Sequence, residues 1–462
     1  MNDLRQRFQD AGQGHVFRFW SDLSPGSKEV LLAQASQIDL DLVALHKGLL
    51  ASGHSDGDDT QFTPPALFPA RPVGNQVKEA EKAKARGTQL LKEGKVGYLL
   101  VAGGQGSRLG FDGPKGMFPV GPVTDISLFA WHAARLKAAA ARHNSAARWF
   151  VMTSATNDTA TRTFFGEQDH FGLPADQVHF FSQAMVPALD LEGRIMMAQK
   201  DQVFLAPNGH GGTLHALATS GLLRLAMDEG IETLSYFQVD NPLARPACPL
   251  FLGLHSLASA GMSSKVVAKT DPHEKVGVLG TANGKLSCIE YSDLPAESRD
   301  ARDDNGDLVF RAGNIAVHAL QTEFVDRLTR DGFDLPWHLA RKKMQVMGEG
   351  GQTESQPGVK FETFIFDALA KSKTSVTLEV QRELEFSPVK NAEGGDSPAT
   401  CRKSLTTMFG GWLEHADLPT PERGADGTVR LEIDPGFAED EIEFLERLPA
   451  TPEDLGGGSL YR

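Results

Sequence analysis

Cysteine is scarce in this chain: three residues in 462, Cys248, Cys288 and Cys401, widely separated and never in a CxxC pair. That excludes a disulfide framework and a thiolate zinc site, and it points to a reducing, cytoplasmic compartment. A basic excess is also missing. Against 46 Lys and Arg stand 60 Asp and Glu, a net charge of −14, so there is no general positive field for nucleic acid. An anionic substrate therefore has to be held by local cations and by metal. No apolar run approaches the roughly 20 residues of a membrane span, and the N-terminal MNDLRQRFQD lacks the apolar core of a secretory signal. What remains is the make-up of an ordinary globular protein. It is long enough for about three domains, or for one large α/β core with two appendages.

Glycine, by contrast, is plentiful, and it concentrates in one informative place. Residues 96–115 read VGYLLVAGGQGSRLGFDGPK. The apolar run Val96–Val101 has the length of a fully buried strand. Gly103, Gly104 and Gly106 follow it, then Arg108, Gly110 and Pro114-Lys115. A strand running into a glycine-rich bend lets backbone N–H groups approach a ligand, and two flanking cations suit phosphate. The spacing fits neither of the two common phosphate loops. Gly104-x-Gly106 reaches Gly110 one residue too late for G-x-G-x-x-G, and Lys115 is followed by Gly116 rather than by Ser or Thr.

Along the chain, residues 2–50 read as helices, with Ser24-Pro25 marking a helix start. Residues 53–74 form a polar, proline-punctuated linker expected to wrap the next domain, and residues 76–93 a polar helix. From Val96 to about Arg382, strand and helix alternate. Strands are expected at 149–153, 178–181, 234–239, 265–268 and 376–380, and helices at 127–143 and 212–227. That order predicts a parallel or mixed sheet with helices on both faces. After about Ser387 a small α+β appendage is expected, with a strand at 428–433 and an acidic stretch, AEDEIEFLERL, behind it. The domain boundaries predicted are 1–94, 95–385 and 386–462.

Several chemistry-bearing residues fall in this frame. Asp240, in SYFQVDNPL, closes an apolar run, where a carboxylate of an open α/β sheet faces the ligand. Magnesium commonly takes only one or two carboxylates, with phosphate and water completing its shell. Gly209-His210-Gly211-Gly212 stands directly before a predicted helix, whose first N–H groups suit carbonyls, hydroxyls or phosphate. Gln183 offers a donor and an acceptor together. Taken singly, Asp240 reads better as a helix N-cap or turn aspartate and Gln183 as a solvent-exposed amide, while Phe364 and Phe366 are equally core aromatics.

The string from Leu100 to Gly110, with Pro114-Lys115 four residues on, resembles the signature of nucleotidyltransferases that make nucleoside-diphosphate sugars. More narrowly it resembles the eukaryotic-type UDP-N-acetylglucosamine (UDP-N-acetylhexosamine) pyrophosphorylases of the UDP-sugar pyrophosphorylase family. AGQGHVFRFW, FETFIFD and SPVKN extend the likeness to about residue 410. The resemblance implies a Rossmann-like central mixed sheet (GT-A-like) with helical N-terminal and small α+β C-terminal appendages. It also implies an enzyme that forms a UDP-sugar and pyrophosphate from UTP and a hexose 1-phosphate, most simply N-acetylglucosamine 1-phosphate, with Mg²⁺.

By the same resemblance Arg108, Lys115 and Lys390 hold phosphates, and Asp240 holds the metal. Ala102, Gly103, Gly104, Gln183, Gly209 and His210 face the nucleotide; Gly277, Glu290, Asn314, Phe364 and Phe366 face the sugar. The chain departs from the pattern at His210, where N-acetylglucosamine enzymes usually carry asparagine and UDP-glucose enzymes carry histidine. A UDP-glucose or broad-specificity pyrophosphorylase therefore stays open as the alternative, with a non-catalytic UDP-sugar sensor more distant. No nucleic acid or membrane partner is expected, and the oligomeric state is not readable.

Overall fold

The structure is a computed structural model that describes residues 2–52, 62–290, 293–330, 332, 335–422, 429–448, 451–454 and 458–462. By internal contacts the chain forms two units: Met1–Thr60 with Gln183–Thr213 and Leu335–Ile365, and Gln61–Ser182 with Leu214–Asp334 and Phe366–Arg462.

The larger unit is built on a ten-stranded sheet. Four strands are parallel. Val96–Val101 lies between Trp149–Thr153 and Thr233–Gln238, and Val178–Ser182 lies outside Trp149–Thr153. Ala312–Gln321 then pairs antiparallel with Thr233–Gln238, making the sheet mixed. Beyond it, Met262–Ala268 joins Ala312–Gln321 antiparallel and Thr377–Val380 parallel, while Val278–Ala282 and Lys285–Ile289 form a hairpin at the edge. The inner strands are buried on both faces, which is why VGYLLV and WFVMT are continuous apolar runs rather than alternating ones. In the parallel block, the chain leaves Val96–Val101 toward one neighbour and returns later on its other side. That reversal opens a crevice beyond the carboxyl ends of Val96–Val101 and Thr233–Gln238, the place where such sheets bind ligands.

Helix Leu128–His143 starts at Ser127, whose hydroxyl accepts the Ala130 N–H at 3.1 Å, and it ends at Asn144 in the left-handed region. It also braces the crevice. Trp131 Nε1 donates to Pro242 O (2.9 Å), His132 Nε2 lies 3.0 Å from Val239 O, and Arg135 donates to Ala244 O (3.1 Å). Three side chains on one helix thus hold the loop that carries Asp240. The expected single helix over 212–227 is two, Gly212–Thr219 and Leu222–Asp228, because Gly221 takes φ +79° between them.

The expected linker does lie along this unit where it is described: Phe62–Thr63 pairs with Thr281–Ala282, and Phe68 N–H donates to Thr377 O. Its residues 53–61 fall outside the described residues. The C-terminal part is α+β. Helix Pro398–His415 carries a capping box at Ser397, and Leu431–Ile433 joins a three-stranded sheet with Ser459–Tyr461 and Glu453–Asp454. The strand expected from 428 begins at Leu431, residue 428 being outside the described residues. The buried Glu432 carboxylate accepts from Val123 N (2.8 Å), Thr124 N (2.9 Å) and Thr124 Oγ1 (2.6 Å), which satisfies its charge.

In the smaller unit, helices Pro25–Gln37 and Leu40–Ser52 contribute Leu31, Ala35 and Val43 to a core with Leu189, Ile195, Val359 and Phe361. Its main sheet is the long hairpin His338–Met347 and Thr353–Glu362, with Leu189–Asp190 alongside. That hairpin was not predicted: HLARKKMQVM is charge-rich and partly exposed, so it lacks the apolar alternation that marks a strand. Among the described residues, no helix is long and apolar enough to cross a membrane.

Candidate active site

The glycine-rich bend begins where Val101 ends its strand. Ala102 N–H still donates to Met152 O, and then the backbone turns out of the sheet. Asn157 and Ser154, at the end of the neighbouring parallel strand, hold it. Asn157 Nδ2 donates to Ala102 O (2.8 Å) and Gly104 O (3.3 Å), and Ser154 Oγ donates to Gly103 O (2.8 Å). The bend closes on itself through Gly106 N–H to Gly113 O and Lys115 N–H to Gly104 O. A Cβ built on Gly104 would meet nothing within 4 Å, whereas one on Gly106 would lie 2.8 Å from the Phe111 ring. Gly104 therefore borders open space, while Gly106 is demanded by packing. Arg108 is exposed, in a short 3₁₀ turn, and makes no ion pair among the described residues.

Lys115 turns back under the bend, and its Nζ lies 3.3 Å from Asp240 Oδ2. The sheet register explains the meeting, since Val101 and Gln238 are partners in adjacent parallel strands and both chains leave at the same end. Asp240 is 9% exposed. Its backbone carbonyl accepts from Val389 N–H (2.8 Å), which brings the segment carrying Lys390 to the same place. Lys390 is half-buried, with Nζ over the Phe386 ring and 3.7 Å from Asp396 Oδ2. Asp240 is thus a single hard carboxylate at the carboxyl end of a central strand, a donor type that magnesium takes once or twice with phosphate and water completing its shell. No group of three or more His, Cys, Asp or Glu able to hold a metal occurs among the described residues.

Gly277, Glu290 and Asn314 form a second group in this unit. Asn314 N–H donates to Gly277 O (2.9 Å), and Asn314 Nδ2 donates to Cys288 Sγ (3.6 Å). A Cβ on Gly277 would sit 2.8 Å from that sulfur and 3.8 Å from Glu290 Oε1. Asn314 lies at a bulge, where Lys265 pairs with Val317 but Val266 with Asn314. Ala316 there adopts φ +54°, its N–H held by Asn314 Oδ1 at 3.0 Å. Burial pushes the Cys288 thiol well above its usual range, so it is a neutral group and no nucleophile. Phe366 is buried in the same unit.

Gln183, Gly209, His210 and Phe364 belong to the smaller unit. Gln183 Nε2 donates to Gly209 O (2.6 Å). The glycines at 209, 211 and 212 have packing reasons. Cβ atoms there would approach Thr363 O at 2.3 Å, Phe364 N at 2.7 Å and Asn208 Oδ1 at 2.2 Å. His210 Nδ1 accepts from Ile365 N–H (3.1 Å), and its ring stacks on Phe364, which also stacks on His338. Burial, with His338 beside it, lowers His210 to about 4. The imidazole is neutral at physiological pH, with its proton on Nε2.

Sequence reasoning did not single out Ser154, Asn157, Asn241 or Cys288. The first three stand just past the ends of buried strands, and polarity at that position was their available signal. Cys288 gave none.

Comparison with known proteins places this architecture. The family model described as UTP–glucose-1-phosphate uridylyltransferase matches residues 68–453. A probable UDP-N-acetylglucosamine pyrophosphorylase of Dictyostelium discoideum is 34% identical over 442 residues, covering 90% of this chain and 89% of that protein. The UDP-N-acetylglucosamine pyrophosphorylase of Saccharomyces cerevisiae is 35% identical over 443 residues, covering 90% and 92%. The solved uridine diphosphate N-acetylglucosamine pyrophosphorylase of Trypanosoma brucei, in complex with inhibitor, aligns with a TM-score of 0.83 at 28% identity, over 97% of this chain and 94% of that one. A UDP-glucose pyrophosphorylase of Leishmania major shares the fold at a TM-score of 0.63 and 15% identity, over 91% and 87%. With the family model spanning most of its length, the chain belongs to the UTP–glucose-1-phosphate uridylyltransferase family.

Proposed function

We propose that the chain catalyses reversible uridylyl transfer, in which UTP and N-acetylglucosamine 1-phosphate give UDP-N-acetylglucosamine and pyrophosphate. The observation that carries this reading is the meeting of Lys115 and Asp240 beneath the glycine-rich bend, at the carboxyl ends of two adjacent parallel strands. It is supported by relatives named UDP-N-acetylglucosamine pyrophosphorylase along nine-tenths of the chain. We place the reaction in the cytoplasm, in keeping with three cysteines that are all free.

An oxygen of the sugar phosphate attacks the α-phosphorus in line with departing pyrophosphate, so one P–O bond forms as another breaks. The attacking phosphate is already anionic, and no protein nucleophile is needed. The protein aligns the two phosphates and stabilises charge that grows on the α-phosphoryl oxygens and the leaving group. Arg108 and Lys115 take the triphosphate and pyrophosphate, with Gly103, Gly104 and Ala102 offering backbone along it. Lys390 takes the phosphate nearer the sugar. Asp240 would hold Mg²⁺, which when bound supplies positive charge to the phosphate oxygens. Gln183, with Gly209 and His210, reads the uridine. Gly277, Glu290 and Asn314 receive sugar hydroxyls and the amide, with Phe366 of the same unit for the acetyl methyl.

His210 favours a second reading, a UDP-glucose or broad UDP-sugar pyrophosphorylase. Initial rates of pyrophosphate release from UTP and Mg²⁺ separate the two. N-acetylglucosamine 1-phosphate is expected to exceed glucose 1-phosphate in kcat/KM; the reverse order supports the second reading, and no release with either refutes both.

A further inference from the structure

We infer that Asn241 is the positioning residue that docks the segment carrying Lys390 on the Asp240 loop. The inference rests on the phosphate role proposed for Lys390. Asn241 is 3% exposed, and its amide spans two chain segments far apart in sequence. Its Nδ2 donates to Glu385 O at 2.8 Å and its Oδ1 accepts from Ser387 N–H at 3.1 Å. Beside it, Asp240 O accepts from Val389 N–H at 2.8 Å. These bonds meet residues 385, 387 and 389 in turn, and Lys390 follows at once.

A side chain with one donor and one acceptor is required to make this pair of contacts, and both capacities are used. Asp offers only the acceptor, and an aliphatic side chain offers neither.

Each side of this strut is itself anchored. The Asp240 loop is braced by Trp131, His132 and Arg135 of helix Leu128–His143. On the other side, the Glu385 carboxylate receives the fully buried Lys265 Nζ at 2.5 Å, and Ser387 Oγ bonds Ser404 Oγ at 3.0 Å. The Lys390 head has a weaker hold of its own, the half-buried Asp396 carboxylate at 3.7 Å. The Lys390 backbone N–H donates to Asp396 O at 2.6 Å, so the segment is shaped locally by Asp396 and is docked on the Asp240 loop by Asn241 and by the Asp240 O–Val389 N–H bond. A misplacement of about 1 Å at such a group costs on the order of 100-fold in rate.

A double-mutant cycle on the full chain tests this, with kcat read alongside the calorimetric Kd for UDP-N-acetylglucosamine without added metal. Asn241→Ala is expected to lower kcat on the order of 100-fold and to weaken binding. Asn241→Asp, which keeps shape and one acceptor, does the same more mildly, with the fold confirmed by circular dichroism. In a Lys390→Ala background both substitutions are expected to cost less than about threefold, because partners acting through one another are not additive. Equal losses in the two backgrounds, in either variant, overturn the positioning role even when Lys390→Ala alone is crippled. Full activity of Lys390→Ala alone instead refutes the phosphate role of Lys390, and the coupling with it.

Discussion

Lys115 Nζ and Asp240 Oδ2 stand 3.3 Å apart although 125 residues separate them in the chain. Both side chains are mostly buried, at 17% and 12% exposure, and the pair links the end of the glycine-rich bend to the loop after Thr233–Gln238. Under the proposed function this ammonium serves substrate phosphates and this carboxylate a metal, and as an ion pair the two charges neutralise one another. Binding then exchanges partners rather than stripping a bare charge of its water.

Lys115→Ala is expected to lower the rate of UDP-sugar synthesis by about 100-fold or more, comparable to losing one preorganised donor to a developing charge. Circular dichroism should stay that of the parent. Near-normal turnover would mean that the phosphates are held elsewhere.

Asp240→Asn keeps the size and hydrogen-bonding reach of the side chain but removes its charge. Titration of the metal in activity assays, and of Mn²⁺ by electron paramagnetic resonance, is expected to show affinity weakened at least about tenfold. Unchanged metal affinity would assign the ion to other ligands.

Gly277→Ala would put a methyl group 2.8 Å from Cys288 Sγ. Since that contact is too short to persist, Cys288 has to move, and with it the amide of Asn314 that bonds the sulfur. KM for the sugar phosphate is expected to rise, while KM for UTP changes little. Adding Cys288→Ala makes room and should recover part of the loss; no recovery would show that Gly277 acts through something other than this contact.

His46 supplies a pH dependence of stability. Its ring stacks on Phe361 at 4.0 Å, neither ring nitrogen has a hydrogen-bond partner among the described residues, and burial lowers it from 6.5 to about 4. The unfolded chain takes up the proton more readily than the folded one between those values. Stability is therefore complete above pH 6.5 and declines as pH falls toward 4. Between pH 7.5 and pH 5 this group contributes about 2 kcal/mol. In urea titrations, His46→Phe should shrink the difference between those two pH values by about that amount. An unchanged difference would place the acid sensitivity elsewhere.

Much of the larger unit was legible because buried parallel strands are written as unbroken apolar runs. Val96–Val101, Trp149–Thr153 and Thr233–Gln238 were all visible, and the carboxyl-end rule together with the family resemblance made Asp240 a candidate. The hairpin His338–Glu362 was not legible. Its strands are half-exposed and rich in lysine, and its pairing is a fact of tertiary contact. The packing share of the glycines at 209, 211 and 212 was hidden for the same reason: each makes room for Asn208 or for Thr363 and Phe364. Asn241 was hidden differently. An asparagine after an aspartate reads as a turn until residues 385–389 arrive beside it.

On the proposed function, the bend after Val101, with Arg108 and Lys115, holds the phosphates of a uridine nucleotide. A crystal structure with UTP or UDP-N-acetylglucosamine bound tests it most directly. The phosphates should lie against residues 102–108, with Lys115 Nζ drawn from Asp240 toward a phosphate oxygen. Clear density for the nucleotide elsewhere, with that bend vacant, would contradict it.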